Sequence, residues 1–219
     1  MRIVCVKWGD KYGPEYVTKL KGACERHIPH DDFMCMTDAP VPGVQCVPMN
    51  TDLPGWWSKL GLFRKGYFCD DILYLDLDVV VTAPIVPFLA AYRSDKSKLW
   101  ALDDFSYSLR TPKESMAPET RRLLGGAGTI NSSVMMWNGK ESFQHQVFDN
   151  FTDEIMTELH GDQNWITRCL WSKHINLLPQ STAHSFKYGG GLPYPITVFH
   201  GDPKPADLKI DWVIEHWAA

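Results

Sequence analysis

Short apolar runs alternate with a run at helical spacing near the start of the chain, and this alternation restricts the possible folds most strongly. Residues 3–6 and 33–37 are strand-like, and between them apolar residues recur at helical spacing from Tyr16 to His27, after Pro14. A strand–helix–strand order favours parallel strands with helices packed on the faces of the sheet. The sequence therefore predicts an α/β fold with a mostly parallel central sheet flanked by helices.

Later segments continue this pattern. Apolar runs predict further strands at 44–47, 72–75, 79–81, 99–102, 130–137, 175–178 and 196–199. Apolar spacing indicates one amphipathic helix over residues 143–159 and another over 165–171. Earlier in the chain, Trp56, Leu60 and Phe63 would share one helical face.

The composition is that of a globular protein of moderate size. The chain has 219 residues, 44% of them apolar and 22% charged, with a net charge of −4. This charge argues against a broad nucleic-acid-binding surface, which needs clustered Lys and Arg. Six cysteines without a Cys-x-x-Cys pair indicate reduced thiols. No signal segment or apolar run of about 20 residues is found, so we expect no transmembrane segment and a cytoplasmic location.

Two carboxylates interrupt the most apolar strand-like run, residues 74–81 (Tyr-Leu-Asp-Leu-Asp-Val-Val-Val). Burial of unpaired carboxylates is costly, so Asp76 and Asp78 need compensation by ion pairs or by a cation. Residues two apart on a strand point the same way, and hard oxygen ligands suit Mg²⁺ or Mn²⁺. We interpret the pair as a metal site at the carboxyl end of a strand, where open α/β sheets bind ligands.

The segment at 74–81 resembles the Asp-x-Asp motif of GT-A glycosyltransferases, especially those of family 8. Residues 56–67 resemble the segment that precedes this motif in the family, and 128–134 resemble its Asn-containing strand. Residues 161–164 (Gly-Asp-Gln-Asn) resemble its Asp-Gln-Asp element, and 199–205 resemble its C-terminal His and Lys motif. The resemblance implies a GT-A fold and metal-dependent sugar transfer from a nucleotide-sugar donor, by default a UDP-sugar.

The resemblance also implies roles for individual residues. Asp76, Asp78 and His200 would bind Mn²⁺ or Mg²⁺, and Lys59 and Lys204 would neutralise the donor diphosphate. From the residues alone, His200 follows an apolar strand directly, which makes it a plausible third ligand beside two carboxylates.

Further candidate residues come from the resemblance or from their position. Asn131, Asp162 and Gln163 match family positions, and the last two would lie near the anomeric carbon of the donor. Family 8 enzymes retain anomeric configuration, so retention is implied. Asp162 would act as nucleophile or would only stabilise an oxocarbenium-like state.

Strand ends supply the weaker candidates. Asp104, or its neighbour Asp103, would contact the donor sugar or cap a helix. Trp8 would border the base or belong to the core, and Asp38 would contact the ribose or base.

A polar stretch rich in Gly and Pro, Ser106 to Thr129, predicts a loop or lid that shapes the acceptor site. We expect one domain over 1–219, with a nucleotide-binding half (1–105) and an acceptor-side half (106–219). The acceptor would be a carbohydrate, lipid, protein or small molecule. The alternatives are a haloacid-dehalogenase-type phosphatase, whose motif is also Asp-x-Asp after a strand, and a non-catalytic carbohydrate-binding protein, which the tryptophans allow.

Overall fold

The structure is a computed structural model that describes residues 1–105, 130–170, 173–179 and 181–218. The loop predicted for residues 106–129 lies outside these ranges.

Most strands of the described chain belong to one central sheet. The strands are β1 (Arg2–Lys7), β2 (Asp32–Thr37), β3 (Gln45–Pro48), β4 (Asp71–Leu75), β5 (Val79–Val81), β6 (Leu99–Asp103), β7 (Ile130–Asn138), β8 (Ile175–Leu177), β9 (Ala183–Ser185) and β10 (Ile196–Val198). The central sheet has the order β3-β2-β1-β4-β7-β6-β8, and β5, β10 and β9 form a smaller sheet. Among the described strands of the central sheet, β7 alone runs antiparallel to its neighbours, β4 and β6. The prediction of a mostly parallel sheet is confirmed.

Helices connect and flank these strands. They are α1 (Pro14–His27), a long 3₁₀ helix (Gly55–Phe63), α2 (Val86–Ser94), α3 (Phe143–Asp149), α4 (Asp153–Glu158), α5 (Asp162–Leu170), a short 3₁₀ helix (Pro205–Asp207) and α6 (Asp211–Trp217). Helix α1 starts with Pro14. The basic residues Arg26 and His27 lie in its last turn, where the positive charge of Arg26 interacts favourably with the helix dipole. Of the helices described, none combines the length and the apolar character that a bilayer crossing requires.

The alternation of side chains along the strands divides the core into two layers. Ile3 and Cys5 of β1 face one layer, which also contains the buried residues of α1 and α2. Val4 faces the other layer, together with Leu60 of the long 3₁₀ helix and Phe143 of α3. Both faces of the sheet are therefore covered by helices, as buried parallel strands require.

The prediction of one continuous helix over residues 143–159 is wrong, because the structure has two shorter helices, α3 and α4, in this segment. Thr152 separates them and caps α4, its side chain accepting a hydrogen bond from the backbone N–H of Ile155 at 3.4 Å. A threonine at this position competes with helix continuation by bonding the backbone itself. Phe148 and Phe151 still pack against one core layer on either side of the break.

The helical face predicted for Trp56, Leu60 and Phe63 is also wrong. The segment is a 3₁₀ helix, in which side chains three apart lie above one another. Trp57, Leu60 and Phe63 therefore form the buried row, while Trp56 is 52% exposed.

Candidate functional site

A cavity of about 510 Å³ opens at the carboxyl ends of the parallel strands. Strands β1 and β4 end there, and the antiparallel β7 starts there, because its direction is reversed. Most of the residues singled out in the sequence line this cavity: Trp8, Lys59, Asp76, Asp78, Asn131, Asp162, Gln163, His200 and Lys204.

The two aspartates reach the cavity because of the alternation that starts in β4. Leu73, Leu75 and Leu77 are buried in the core layer that holds α1 and α2. Side chains at the positions between them point to the other side. Asp76 and Asp78 therefore leave the core and line the cavity, although Asp78 remains only 7% exposed.

Lys59 is the centre of a buried ionic network. Its Nζ lies 3.1 Å from Oδ1 of Asp76 and 3.0 Å from Oδ2 of Asp162, and its side chain is only 6% exposed. The same ammonium donates to Oγ of Ser132 at 3.0 Å, and this hydroxyl donates to Oδ2 of Asp162 at 2.7 Å. One lysine thus joins the end of β4, the start of β7 and the first residue of α5.

These contacts set the protonation of the network. Burial alone would raise the pKa of Asp76, but the charge of Lys59 and hydrogen bonds from Tyr74 and Ser133 outweigh it and hold the pKa below its usual range. Burial alone would lower the pKa of Lys59, and Asp162 and Asp76 raise it above its usual value instead. Lys59 and Asp76 are therefore both charged at neutral pH.

Asp78 has a separate set of partners. Its Oδ2 accepts hydrogen bonds from the hydroxyl of Tyr12 at 2.9 Å and from Nζ of Lys204. Burial and the charge of Asp78 raise the pKa of Tyr12 well above its usual value, so the phenol stays protonated and donates. Lys204 also donates to the backbone oxygen of Phe199 at 2.9 Å.

His200 lies in the same cavity wall, at the end of β10. Its Nε2 lies 2.7 Å from Oγ of Ser185, and the ring of Phe105 stacks at 6.1 Å with an interplanar angle of 11°. Within the described ranges, no three His, Cys, Asp or Glu side chains form a group that could hold a metal ion. The three predicted metal ligands share the cavity but are bound to other side chains, Asp76 to Lys59 and Asp78 to Lys204.

Two predicted contact residues fall outside the set of residues that line the cavity. Asp38 follows β2 and accepts a hydrogen bond from the backbone N–H of Gly9 at 2.7 Å, which ties it to the loop that carries Trp8. Asp104 follows β6. The burial of the neighbouring Asp103 raises the pKa of that carboxyl, and the charge of Asp104 raises it further. Their predicted contacts with a donor stay predictions.

The sequence reasoning missed several residues of the cavity wall: Tyr12, Trp56, Ser132 and His160. Ser132 lies inside the segment that resembles the family strand, but Asn131 was favoured there because it is the family's polar position. Tyr12 gave no signal, since its partner Asp78 is 66 positions away in the chain. The expected α-helical period grouped Trp56 with Leu60 and Phe63 on one face, which gave no reason to place it at a cavity.

Solved structures of similar fold include several glycosyltransferases. The galactosyltransferase LgtC, solved with donor and acceptor sugar analogs, superposes with a TM-score of 0.67 at 16% identity, over 94% of this chain and 89% of that one. GlyE of Streptococcus pneumoniae TIGR4 gives 0.63 at 16% identity, over 99% of this chain and 62% of that one. Mouse xyloside xylosyltransferase 1 gives 0.59 at 11% identity, over 91% and 97%.

The sequence comparisons give no such match, since no family model and no curated protein matches the chain. At these identities the structural likeness establishes the fold alone, which is the GT-A fold that the sequence predicts.

Proposed function

We propose that this chain, built on the GT-A fold, is a metal-dependent glycosyltransferase that moves a sugar from a UDP-sugar to an acceptor hydroxyl with retention of configuration. One observation carries the proposal: acidic side chains from two distant segments, Asp76 and Asp78 after β4 and Asp162 at the start of α5, line one cavity together with Lys59 and Lys204. Carboxylates and ammonium groups in one cleft suit a diphosphate that arrives with a cation. The fold favours transfer over the phosphatase alternative.

The residue types of the three candidate ligands suit a divalent cation, although the described side chains do not converge on one point while Asp76 and Asp78 are paired with lysines. Two carboxylates and one imidazole, from Asp76, Asp78 and His200, are ligands that Mn²⁺ accepts. A cation held by them would supply positive charge to the diphosphate leaving group. Lys204 and this cation would compete for Asp78, because the ammonium now occupies one oxygen of that carboxylate.

Lys204 has a second partner within reach when a donor is bound. Release from Asp78 would free its compact charge for a phosphate oxygen, while its bond to the backbone oxygen of Phe199 holds it at the cavity wall. The ion pair between Lys204 and Asp78 would then be replaced by two others, one between the cation and Asp78 and one between Lys204 and the phosphate. This exchange couples donor binding to cation binding.

Asp162 would stabilise a developing positive charge on the donor sugar. Its carboxylate is 8% exposed and is held at Oδ2 by Lys59 and Ser132, so its position is fixed. A fixed negative group in a site of low polarity stabilises an oxocarbenium-like state without reorganisation. Gln163, the next residue of α5, lines the same cavity and would position the acceptor hydroxyl.

Release of UDP from UDP-glucose and UDP-galactose tests the activity directly. We expect release that requires Mn²⁺ or Mg²⁺ and that stops in excess chelator. No release from any UDP-sugar with either cation would contradict the proposal. The anomeric configuration of a product, measured by NMR, tests retention separately.

Asp78→Asn tests the proposed metal site. The variant keeps the shape of the side chain but removes its charge, so UDP release should fall by at least about a hundredfold, or about 2.7 kcal/mol. Asp153→Asn, which removes an exposed carboxylate of α4, is the matched control and should leave the rate unchanged. Full metal-dependent activity in Asp78→Asn would exclude this residue as a ligand.

A further inference from the structure

Trp56 is a large aromatic side chain that the fold turns out of the core and into the cavity wall. It is 52% exposed, whereas its neighbour Trp57 is 6% exposed. The 3₁₀ period places Trp57 in the row with Leu60 and Phe63, which leaves Trp56 on the open side. Gly55, with φ of +58°, sets the direction of the chain immediately before it.

The indole contacts the segment that precedes α5. Its ring centroid lies 6.0 Å from that of His160, at an interplanar angle of 36°. The α-carbon of Gly161 lies beside the indole, since a Cβ there would stand 3.4 Å from Nε1 of Trp56. Gly161 directly precedes Asp162, so the exposed aromatic surface adjoins the carboxylate proposed to face the donor sugar.

The strand order separates Trp56 from the other exposed tryptophan of the cavity. Trp8 follows β1, and Asp76 follows β4, the next strand across the sheet. Beyond β4 lies β7, against which α5 packs. The cavity wall therefore has Trp8 and Tyr12 at the β1 end, the carboxylates of Asp76 and Asp78 after β4, and Trp56 with His160 beside the residue that precedes α5.

We infer that Trp56 and His160 form an acceptor subsite that stacks against the pyranose ring of a carbohydrate acceptor. The inference rests on the proposed function, which assigns the carboxylates between the two ends to the donor diphosphate and sugar. A sugar ring presents a C–H face to an aromatic ring and hydroxyls at its edge. Gln163 and His160 supply hydrogen-bonding groups in the same cavity wall. An acyl chain would leave these polar groups unpaired, which disfavours a lipid acceptor.

Direct saccharide binding tests this subsite without any turnover. Saturation-transfer NMR measures binding of methyl β-D-galactopyranoside, methyl β-D-glucopyranoside and lactose to the protein with UDP and the diamagnetic Mg²⁺ present. We expect at least one of the three to bind. Trp56→Ala should weaken its affinity about fivefold to tenfold, and Trp56→Phe should lose less, because stacking depends on the aromatic face.

Two comparisons separate a stacking role from a structural one. Ile214→Ala removes another exposed apolar side chain, 54% exposed on α6 and outside the cavity, and should leave the affinity unchanged. In an assay of donor hydrolysis without acceptor, Trp56→Ala should keep the KM for UDP-sugar within twofold of wild type.

Three results would overturn the inference: none of the saccharides binds, Trp56→Ala binds them as wild type does, or Trp56→Ala raises the donor KM as much as it weakens saccharide binding. Failure of the proposed function has a different signature. There, no UDP-sugar is turned over, while saccharide binding through Trp56 persists.

Discussion

At the scale of single residues, Lys59 has a large predicted effect on stability. Its ammonium separates Asp76 from Asp162, and the side chain is 6% exposed. Lys59→Met fills the same space but leaves the carboxylates of Asp76 and Asp162 without their positively charged partner. We expect it to lower the free energy of unfolding by about 3 kcal/mol, measured by urea denaturation.

A double variant shows whether the cost comes from charge. In Lys59→Met with Asp162→Asn, one of the two unpaired carboxylates is gone, so part of the lost stability should return. If the loss of unfolding free energy in the double variant equals the sum of the losses in the two single variants, then packing, and not charge compensation, accounts for the destabilisation by Lys59→Met.

Asp71, at the start of β4, predicts a pH dependence. Burial raises the pKa of its carboxyl, but hydrogen bonds from Lys96, Tyr92 and Asn138 outweigh it and lower the pKa overall. A lowered pKa in the folded state stabilises the protein above the unfolded pKa of about 3.9 and loses this stabilisation as the pH falls through the folded value.

Asp71→Asn removes this titration. The difference in urea midpoint between wild type and Asp71→Asn should be constant near neutral pH and should narrow as the pH falls from about 5 to about 3. A difference that stays the same over this range would show that Asp71 titrates alike in the folded and unfolded chains.

At the scale of elements, the 3₁₀ helix makes a prediction about two adjacent tryptophans. Trp57→Ala removes a side chain buried against Phe151, with ring centroids 5.0 Å apart, and should cost about 3–5 kcal/mol. Trp56→Ala removes a half-exposed ring and should cost less than about 1 kcal/mol. If Trp56→Ala lowers the free energy of unfolding as much as Trp57→Ala or more, the result would favour the α-helical period that the sequence suggested.

Local patterns identified most of the strands because each is a short apolar run. The strand predicted over residues 72–75 is β4 (Asp71–Leu75), and that over 130–137 is β7 (Ile130–Asn138). The sequence could not show the end of α3, since Phe151 and Ile155 keep the helical spacing across the break. Nor could it distinguish a 3₁₀ from an α period in a segment of nine residues that contains four buried apolar ones.

At the scale of the whole molecule, the order of the sheet brings the site together. β1, β4 and β7 are neighbours in the sheet but start at residues 2, 71 and 130. The sequence could predict which side chains are unusual, such as carboxylates in an apolar run, because that signal is local. It could not predict the pairing of Asp78 with Tyr12 and Lys204, since these contacts depend on tertiary distance.

The central claim is that one cavity binds a nucleoside diphosphate together with a divalent cation. Thermal unfolding of wild type with UDP, with Mn²⁺ and with both tests it most directly. At about a hundredfold excess over Kd, UDP with Mn²⁺ should raise Tm by roughly 5–10 °C. The rise should exceed the sum of the separate effects, and Asp78→Asn should abolish the excess. If Tm stays unchanged with UDP and Mn²⁺, and also with every other nucleoside diphosphate and Mn²⁺, the cavity does not bind a nucleoside diphosphate together with a cation.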